Sequence, residues 1–245
     1  MFRSSWGNLN KPRLTGDMIE IIFQHPDFVV VSKPPHRLIA SSKKIPELPL
    51  NRELEQQLGQ RLWTVHRLDR ETSGLVLFAL NADAQRILSR LFENHLIQKT
   101  YLALCWGSPT PSENTVSLPL RNGRKNLMRI CQGKEEGLKA ETHFRVLKSS
   151  ESFSLLQIEP KTGRQHQIRV HLAAIGHPAL GDTDYYPTAR VLAGFKQPTW
   201  DAERVLLHAS RLQFVWQEKP MNFECPLPAD FLKISERLDS QKGSG

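Results

Sequence analysis

The 245-residue sequence predicts an α/β protein of the α+β type: a mixed, largely antiparallel central sheet with flanking helices and loops. Three observations carry that expectation. Apolar β runs occur in neighbouring pairs joined by short turns, the pattern of antiparallel hairpins. Helical patterns are interspersed among the strands rather than alternating with each one, which argues against a doubly wound parallel sheet. The fingerprints GxGxxG and GxxxxGK[ST], which open dinucleotide and P-loop folds, are absent.

Taken in order, residues 1–17 mix Arg, Lys, Ser, Asn and Pro without periodicity and read as a flexible basic arm. The β runs 19–23 and 28–31, joined by His25-Pro26-Asp27 and ended by Pro34 and Pro35, predict a hairpin. Leu50, Leu54 and Leu58 repeat every four residues ahead of Gly59, giving a short helix between 45 and 59. After a β run at 75–80, Ala84, Ile87, Leu88, Leu91 and Phe92 mark one face of an amphipathic helix. Gln98 to Tyr101 leads into a strand through LALCW, and a loop with two prolines follows at 107–114. Residues 121–139 form a polar loop carrying Arg121, Arg124, Lys125, Arg129, Lys134 and Lys139, either simply solvated or contacting phosphate.

The runs 143–147 and 153–158 flank Ser149-Ser150-Glu151-Ser152 as a second hairpin. Thr162 and Gln165 are spaced as a capping box; Ile168, Leu172 and Ile175 give a helical face; Gly176 before His177-Pro178 ends it. The first turn of that helix would carry Arg164, His166 and Arg169 beside backbone N–H groups suited to an anion. Residues 204–216 read as a strand and PLPADFLKISERL as a turn and helix. With no repeat to force a boundary, 18–235 is expected to be one domain and 236–245 a flexible tail.

Composition narrows the function classes. Lys and Arg number 33 against 25 Asp and Glu, for a formal charge of +8. This favours a polyanionic partner, although charge alone does not distinguish one from an ordinary basic protein. Cys105, Cys131 and Cys225 are widely spaced and contain no CxxC pair, so neither a disulfide framework nor a cysteine zinc site is expected. His166 and His171 are five apart and would point to different helix faces, so no metal site is expected there. GxSxG is absent, and with it the usual hydrolase elbow. No apolar run reaches membrane-span length and the polar start lacks a signal-peptide core, which makes a cytoplasmic protein the expectation.

One stretch concentrates chemistry. In VHRLDRETSGLVLFAL the acid Asp69 lies among His66, Arg67 and Arg70, with Thr72-Ser73-Gly74 ahead of the β run. An Asp held ionised by a neighbouring arginine is competent as nucleophile or base. The same residue could equally close a turn salt bridge, and spacing leaves both readings open.

The motif HRLDRETSG resembles the HRLDxxTSG signature of the RluA-type RNA pseudouridine synthases. KTYLAL, EPKTGRQHQIRVHLAAIGHPALGD and LLHASRLQF resemble three further blocks of that family in the family's order, so that the resemblance spans residues 19–232. It implies the pseudouridine synthase fold and an isomerase that converts uridine to pseudouridine in 23S ribosomal RNA, tRNA or both, without metal or cofactor. It implies Asp69 as the catalytic aspartate, Tyr101 as the residue stacking on the flipped uracil and serving a late proton transfer, and Arg169 as the partner of Asp69. Whether the carboxylate adds to C1′ or abstracts a sugar proton is left open.

Extrusion of a base is expected to need an aromatic platform and a basic surface. Arg67 and Arg70 are expected beside the extruded nucleotide, with Leu68, Arg164, His166 and Ile168 completing the substrate-binding set. Leu68 and Ile168 also suit core packing, and Lys33, in VSKPP, suits RNA contact or a plain strand end. About seventeen residues precede the first strand, so the S4-type RNA-binding module of many relatives is not expected, and RNA selection is expected to fall to the arm and the 121–139 loop of a protein expected to be monomeric. Two rival classes are a non-catalytic RNA-binding protein on the same scaffold and a metal-dependent hydrolase using His66, His166 and His171.

Overall fold

A computed structural model describes residues 18–41, 47–124, 127–186 and 202–240. The basic arm 1–17, the end of the tail at 241–245 and Lys125 of the polar loop lie outside the described residues. The elements are β1 (Ile21–Gln24), β2 (Phe28–Lys33), α1 (Leu50–Leu58), β3 (Trp63–Thr64), β4 (Ser73–Ala79), α2 (Ala82–Glu93), β5 (Gln98–Trp106) and β6 (Glu113–Val116). They continue as β7 (Leu120–Asn122), β8 (Met128–Ile130), β9 (Thr142–Ser149), β10 (Phe153–Pro160), α3 (Gln167–Ala174), β11 (Leu207–Trp216), β12 (Lys219–Glu224), α4 (Ala229–Ser235) and α5 (Arg237–Ser240).

Ten strands form one sheet with the path β1-β2-β4-β11-β5-β10-β9-β6; β12 joins β11, β3 joins β4, and β7-β8 is a separate hairpin. The β11–β4 pair is parallel and the other described pairs are antiparallel, so the expected sheet type holds. Every residue of β4 is buried. Its side chains alternate between two cores, as a strand covered on both faces must. Leu75, Leu77 and Ala79 pack with Phe28, Val30 and α2, whereas Val76 and Phe78 pack with Val29, Val31 and α1. Farther along, Ala103, Cys105, Leu156 and Ile158 meet α3 on one face, and Leu104, Trp106 and Phe153 meet α4 on the other.

Several elements depart from the sequence expectation. Within α2, Asn81 caps the N-terminus by accepting from the Ala84 N–H, and Ala84 and Leu88 are buried, but Ile87 lies at the shoulder of the apolar stripe and is exposed. The polar segment 121–139 is not a bare loop: it contains β7 and β8, and Glu135 ion-pairs with both Arg121 and Arg129 across the hairpin. Strand β12, absent from the sequence reading, extends β11 as a hairpin. The 204–216 strand starts only at Leu207, because Arg204 turns inward to pair with Asp230. Ordered structure also runs past residue 235, where the flexible tail was expected to begin, since Leu238 of α5 is buried against Phe231 and Ile234.

The largest local departure precedes α3. The helix begins at Gln167, with His166 as N-cap in the left-handed region at φ 52°, so the Thr162–Gln165 capping box does not form. Instead the loop 162–166 is moulded on the buried Gln167 amide. Its Oε1 accepts from the Thr162 hydroxyl at 2.7 Å and the Arg164 N–H at 3.0 Å, while its Nε2 donates to the Glu141 carbonyl and to Thr142 Oγ1. Arg164 and His166 therefore lie on the loop, and Arg169 alone of the three is in the helix.

Candidate active site

Asp69 lies on the loop between β3 and β4, and buried cations hold that loop from beneath. Lys33, at 1% exposure, donates from Nζ to the Pro34 carbonyl at 2.9 Å and the Arg70 carbonyl at 3.0 Å. Arg204 donates from Nη1 to the Glu71 carbonyl at 3.1 Å. The Thr72 N–H closes the turn onto the Asp69 carbonyl. Two otherwise costly buried charges thus meet the backbone acceptors that an irregular loop leaves over. Burial, reinforced by the nearby Arg204 charge, pushes the Lys33 ammonium down to about 7. A strand-end lysine reaching for RNA is therefore not what Lys33 is.

The following residues fasten the loop to the sheet. Ser73 Oγ bonds His208 Nδ1 at 3.0 Å, and Gly74 sits at φ 111° against β11. A Cβ there would come within 2.7 Å of the Ala209 nitrogen and 2.8 Å of its carbonyl carbon, so only glycine permits this approach. His66 accepts the Leu77 N–H at Nε2 (2.8 Å) and stacks on Phe92. Burial first, and then the Lys99 charge, hold its imidazole neutral, down to about 3.

The loop faces a cavity of about 500 Å³ lined by Asp69, Tyr101, Lys99, His166, Arg169 and neighbouring residues. Along β5, Lys99 and Tyr101 are two apart and so share one face of the strand. Burial raises the Tyr101 phenol well above its ordinary value, and the field of Asp69 adds to it, so the hydroxyl keeps its proton. Arg67 is exposed at the cavity rim; Leu68 and Ile168 are buried core residues that also line the wall. Arg164 lines the rim and donates from Nε to the Lys139 carbonyl. Arg70 does not line the cavity, contrary to its expected place beside the nucleotide; Glu71 at 3.0 Å and Glu47 at 3.5 Å hold its guanidinium instead.

Asp69 is approached from two sides. Arg169 Nη1 stops 3.9 Å from Oδ2 and His166 Nε2 stops 3.8 Å from Oδ1. The firm partners of Arg169 are two other acids: Nε and Nη2 donate to Asp182, and Nη2 also to Asp184, each at 2.7 Å. Burial opposes the charge of Arg169, and the bonds to Asp182 and Asp184 outweigh it and hold the guanidinium above its usual range. Among the described residues no hydrogen bond reaches the Asp69 carboxylate, so its lone pairs stay available beside the guanidinium.

Sequence reasoning singled out neither Asp182 nor Asp184, nor Lys99, Tyr185, Arg204 or His208. The Gly181-Asp182 pair stood in the block that carried the resemblance and was the available signal. Gly181, at φ 77°, packs its backbone against that of Arg204 and aims Asp182 at the helix. The histidine trio of the hydrolase alternative is not brought together: His66 is bonded to Leu77, and His171 to Thr142 Oγ1 and the Leu118 carbonyl. No group of three or more potential metal-ligating side chains occurs among the described residues.

The mixed sheet thus brings Asp69, Tyr101 and Arg169 to one cavity with arginines at its rim. Residues 27–174 match the family described as RNA pseudouridylate synthase, and the chain belongs to that family. It is 33% identical over 208 residues to an uncharacterised RNA pseudouridine synthase of Haemophilus influenzae, covering 84% of this chain and 87% of the relative. It is also 33% identical to the dual-specificity RNA pseudouridine synthase RluA of Escherichia coli strain K12, over 91% of this chain and 98% of that one. The structure of human RNA pseudouridylate synthase domain containing 4 superposes with a TM-score of 0.73 at 26% identity, covering 90% of this chain and 93% of the other. The protein is an isomerase that converts uridine to pseudouridine in RNA. No helix among the described residues is long and apolar enough to cross a membrane.

Proposed function

We propose that the protein isomerises specific uridines of structured 23S ribosomal RNA, tRNA or both in the cytoplasm, as a monomer that draws the target nucleotide out of its stack into the cavity beside Asp69. The observation that carries this reading is the carboxylate itself, flanked at 3.8 and 3.9 Å by His166 and Arg169 yet left without a hydrogen bond among the described residues. An under-bonded anion in a partly desolvated cavity is the form in which a carboxylate attacks a sugar carbon or removes a sugar proton.

In this account Tyr101 stacks on the extruded uracil. The N1–C1′ bond breaks, the base turns, C5 joins C1′, and the C5 proton leaves while N1 gains one. The protonated Tyr101 hydroxyl takes part in that late proton exchange. Arg169 acts through charge: its guanidinium stabilises the Asp69 carboxylate without occupying its lone pairs. Arg67 and Arg164 contact phosphates at the rim, and Leu68 and Ile168 form the apolar wall behind the sugar.

The relative named for dual specificity is matched over nearly its whole length, which supports a reading with more than one RNA target. Mapping pseudouridines in total RNA from cells with and without the gene tests the proposal. Loss of defined sites in either RNA class is the expected result; an unchanged map in both would overturn it.

A further inference from the structure

We infer that His166 is a positioning residue for Asp69, its tautomer fixed by the Tyr185 hydroxyl so that Nε2–H, and not a lone pair, faces the carboxylate. The inference rests on the reading of Asp69 as the catalytic group.

The hydrogen-bond inventory assigns the tautomer. Tyr185 is buried at 6% exposure, and its oxygen lies 3.0 Å from the Met128 nitrogen and 2.8 Å from His166 Nδ1. The Met128 amide can only donate, so it takes one lone pair of the phenol oxygen. The phenol proton then has one acceptor within reach among the described residues, His166 Nδ1. A ring that accepts at Nδ1 carries its proton at Nε2 when neutral, and Nε2 is the atom 3.8 Å from Asp69 Oδ1. The ring cannot readily turn away. Its backbone sits at φ 52°, an unfavourable place for a residue with a Cβ, and the moulded loop around Gln167 fixes it there.

Charge around the ring supports the neutral form. Burial, with Arg169, opposes protonation of the ring, whereas Asp69, Asp184 and Asp182 favour it, and the balance lies below the ordinary histidine value. An imidazolium here would close onto Asp69 as a full ion pair and occupy the lone pair the reaction needs. A neutral N–H at 3.8 Å orients the carboxylate and leaves it reactive. Met128 belongs to β8, so the same chain of bonds ties the β7–β8 hairpin to the 162–166 loop through Tyr185.

Nitrogen-15 spectra of the full-length protein labelled at histidine read the tautomer directly, with the His166 signals assigned by their loss in His166→Gln. The inference predicts a protonated Nε2 and an accepting Nδ1 at neutral pH; a protonated Nδ1 in the wild type overturns it. Kinetics give a second readout. Removing the phenol in Tyr185→Phe frees Nδ1 to protonate, so kcat should fall about tenfold with KM within about twofold, and the acid limb of the kcat profile should move to higher pH. In His166→Gln, whose amide donates but does not titrate, adding Tyr185→Phe should leave that limb where it is. A folded Tyr185→Phe with the wild-type kcat and pH profile also overturns the inference. Absence of any turnover by the wild type would instead overturn the proposed function, and the nitrogen spectrum would still decide the tautomer.

Discussion

Arg169 comes within 3.9 Å of Asp69 without hydrogen-bonding to it, because Asp182 and Asp184 hold the guanidinium back with bonds of 2.7 Å. This separation is the difference between a carboxylate whose lone pairs stay available and one whose lone pairs are occupied. It makes Asp182, which touches neither Asp69 nor the cavity wall, a determinant of how reactive Asp69 is.

Asp182→Asn should therefore lower activity by a route that a purely structural role would not produce. Weakening the two-bond grip lets the guanidinium close onto Asp69, so kcat should drop more than about tenfold while RNA affinity stays near wild type. Breaking a buried pair should also cost about 3 kcal/mol of stability, measured by urea unfolding.

Tyr101→Phe keeps the ring that stacks on the base and removes the hydroxyl whose proton burial retains. Binding measured by filter retention should be unchanged within about twofold, and single-turnover rates should fall by about a hundredfold. Equal losses in binding and rate would place the role of the hydroxyl in binding alone.

The two arginines beside Asp69 should behave differently. Arg67 is exposed at the rim, so Arg67→Ala should weaken RNA binding and reduce the slope of log K against log salt by about 1. Arg70 is held by Glu71 and Glu47, and Arg70→Ala should leave that slope unchanged.

Lys33 gives a pH dependence whose sign is fixed. Its folded value of about 7 lies below the ordinary lysine value, so between those limits the unfolded chain binds more protons than the native one. The contribution of Lys33 to stability is then present at high pH and is lost as pH falls through about 7. The stability of the wild type relative to Lys33→Met should rise from pH 7 to pH 9 in urea titrations. A difference that is flat over this range would contradict the burial of the ammonium.

Much of the scaffold was legible because its signals are local. The continuous apolar run of β4, the apolar stripe of α2 and the paired runs of β1–β2 and β9–β10 each report their own burial, and those elements form as expected. The missing pieces depend on partners distant in sequence. The capping box at Thr162 fails because a tertiary bond network around Gln167 competes for Thr162 and leaves His166 in the left-handed region. Lys33 looks like a surface lysine until the carbonyl of Arg70, 37 residues on, supplies its acceptor. For the site, motif spacing brought Asp69 into view and left its role undecided between salt bridge and catalysis. Only the agreement of distant blocks pointed to Tyr101 and Arg169; of the acids that restrain Arg169, Asp182 closes one of those blocks and Asp184 lies two residues beyond it.

The most direct test of the central claim uses RNA whose uracils carry tritium at C5, since rearrangement to pseudouridine must release that label to water. The account predicts release by the wild type and none above background by Asp69→Asn, with both proteins binding the RNA equally. Release by Asp69→Asn at the wild-type rate would contradict it.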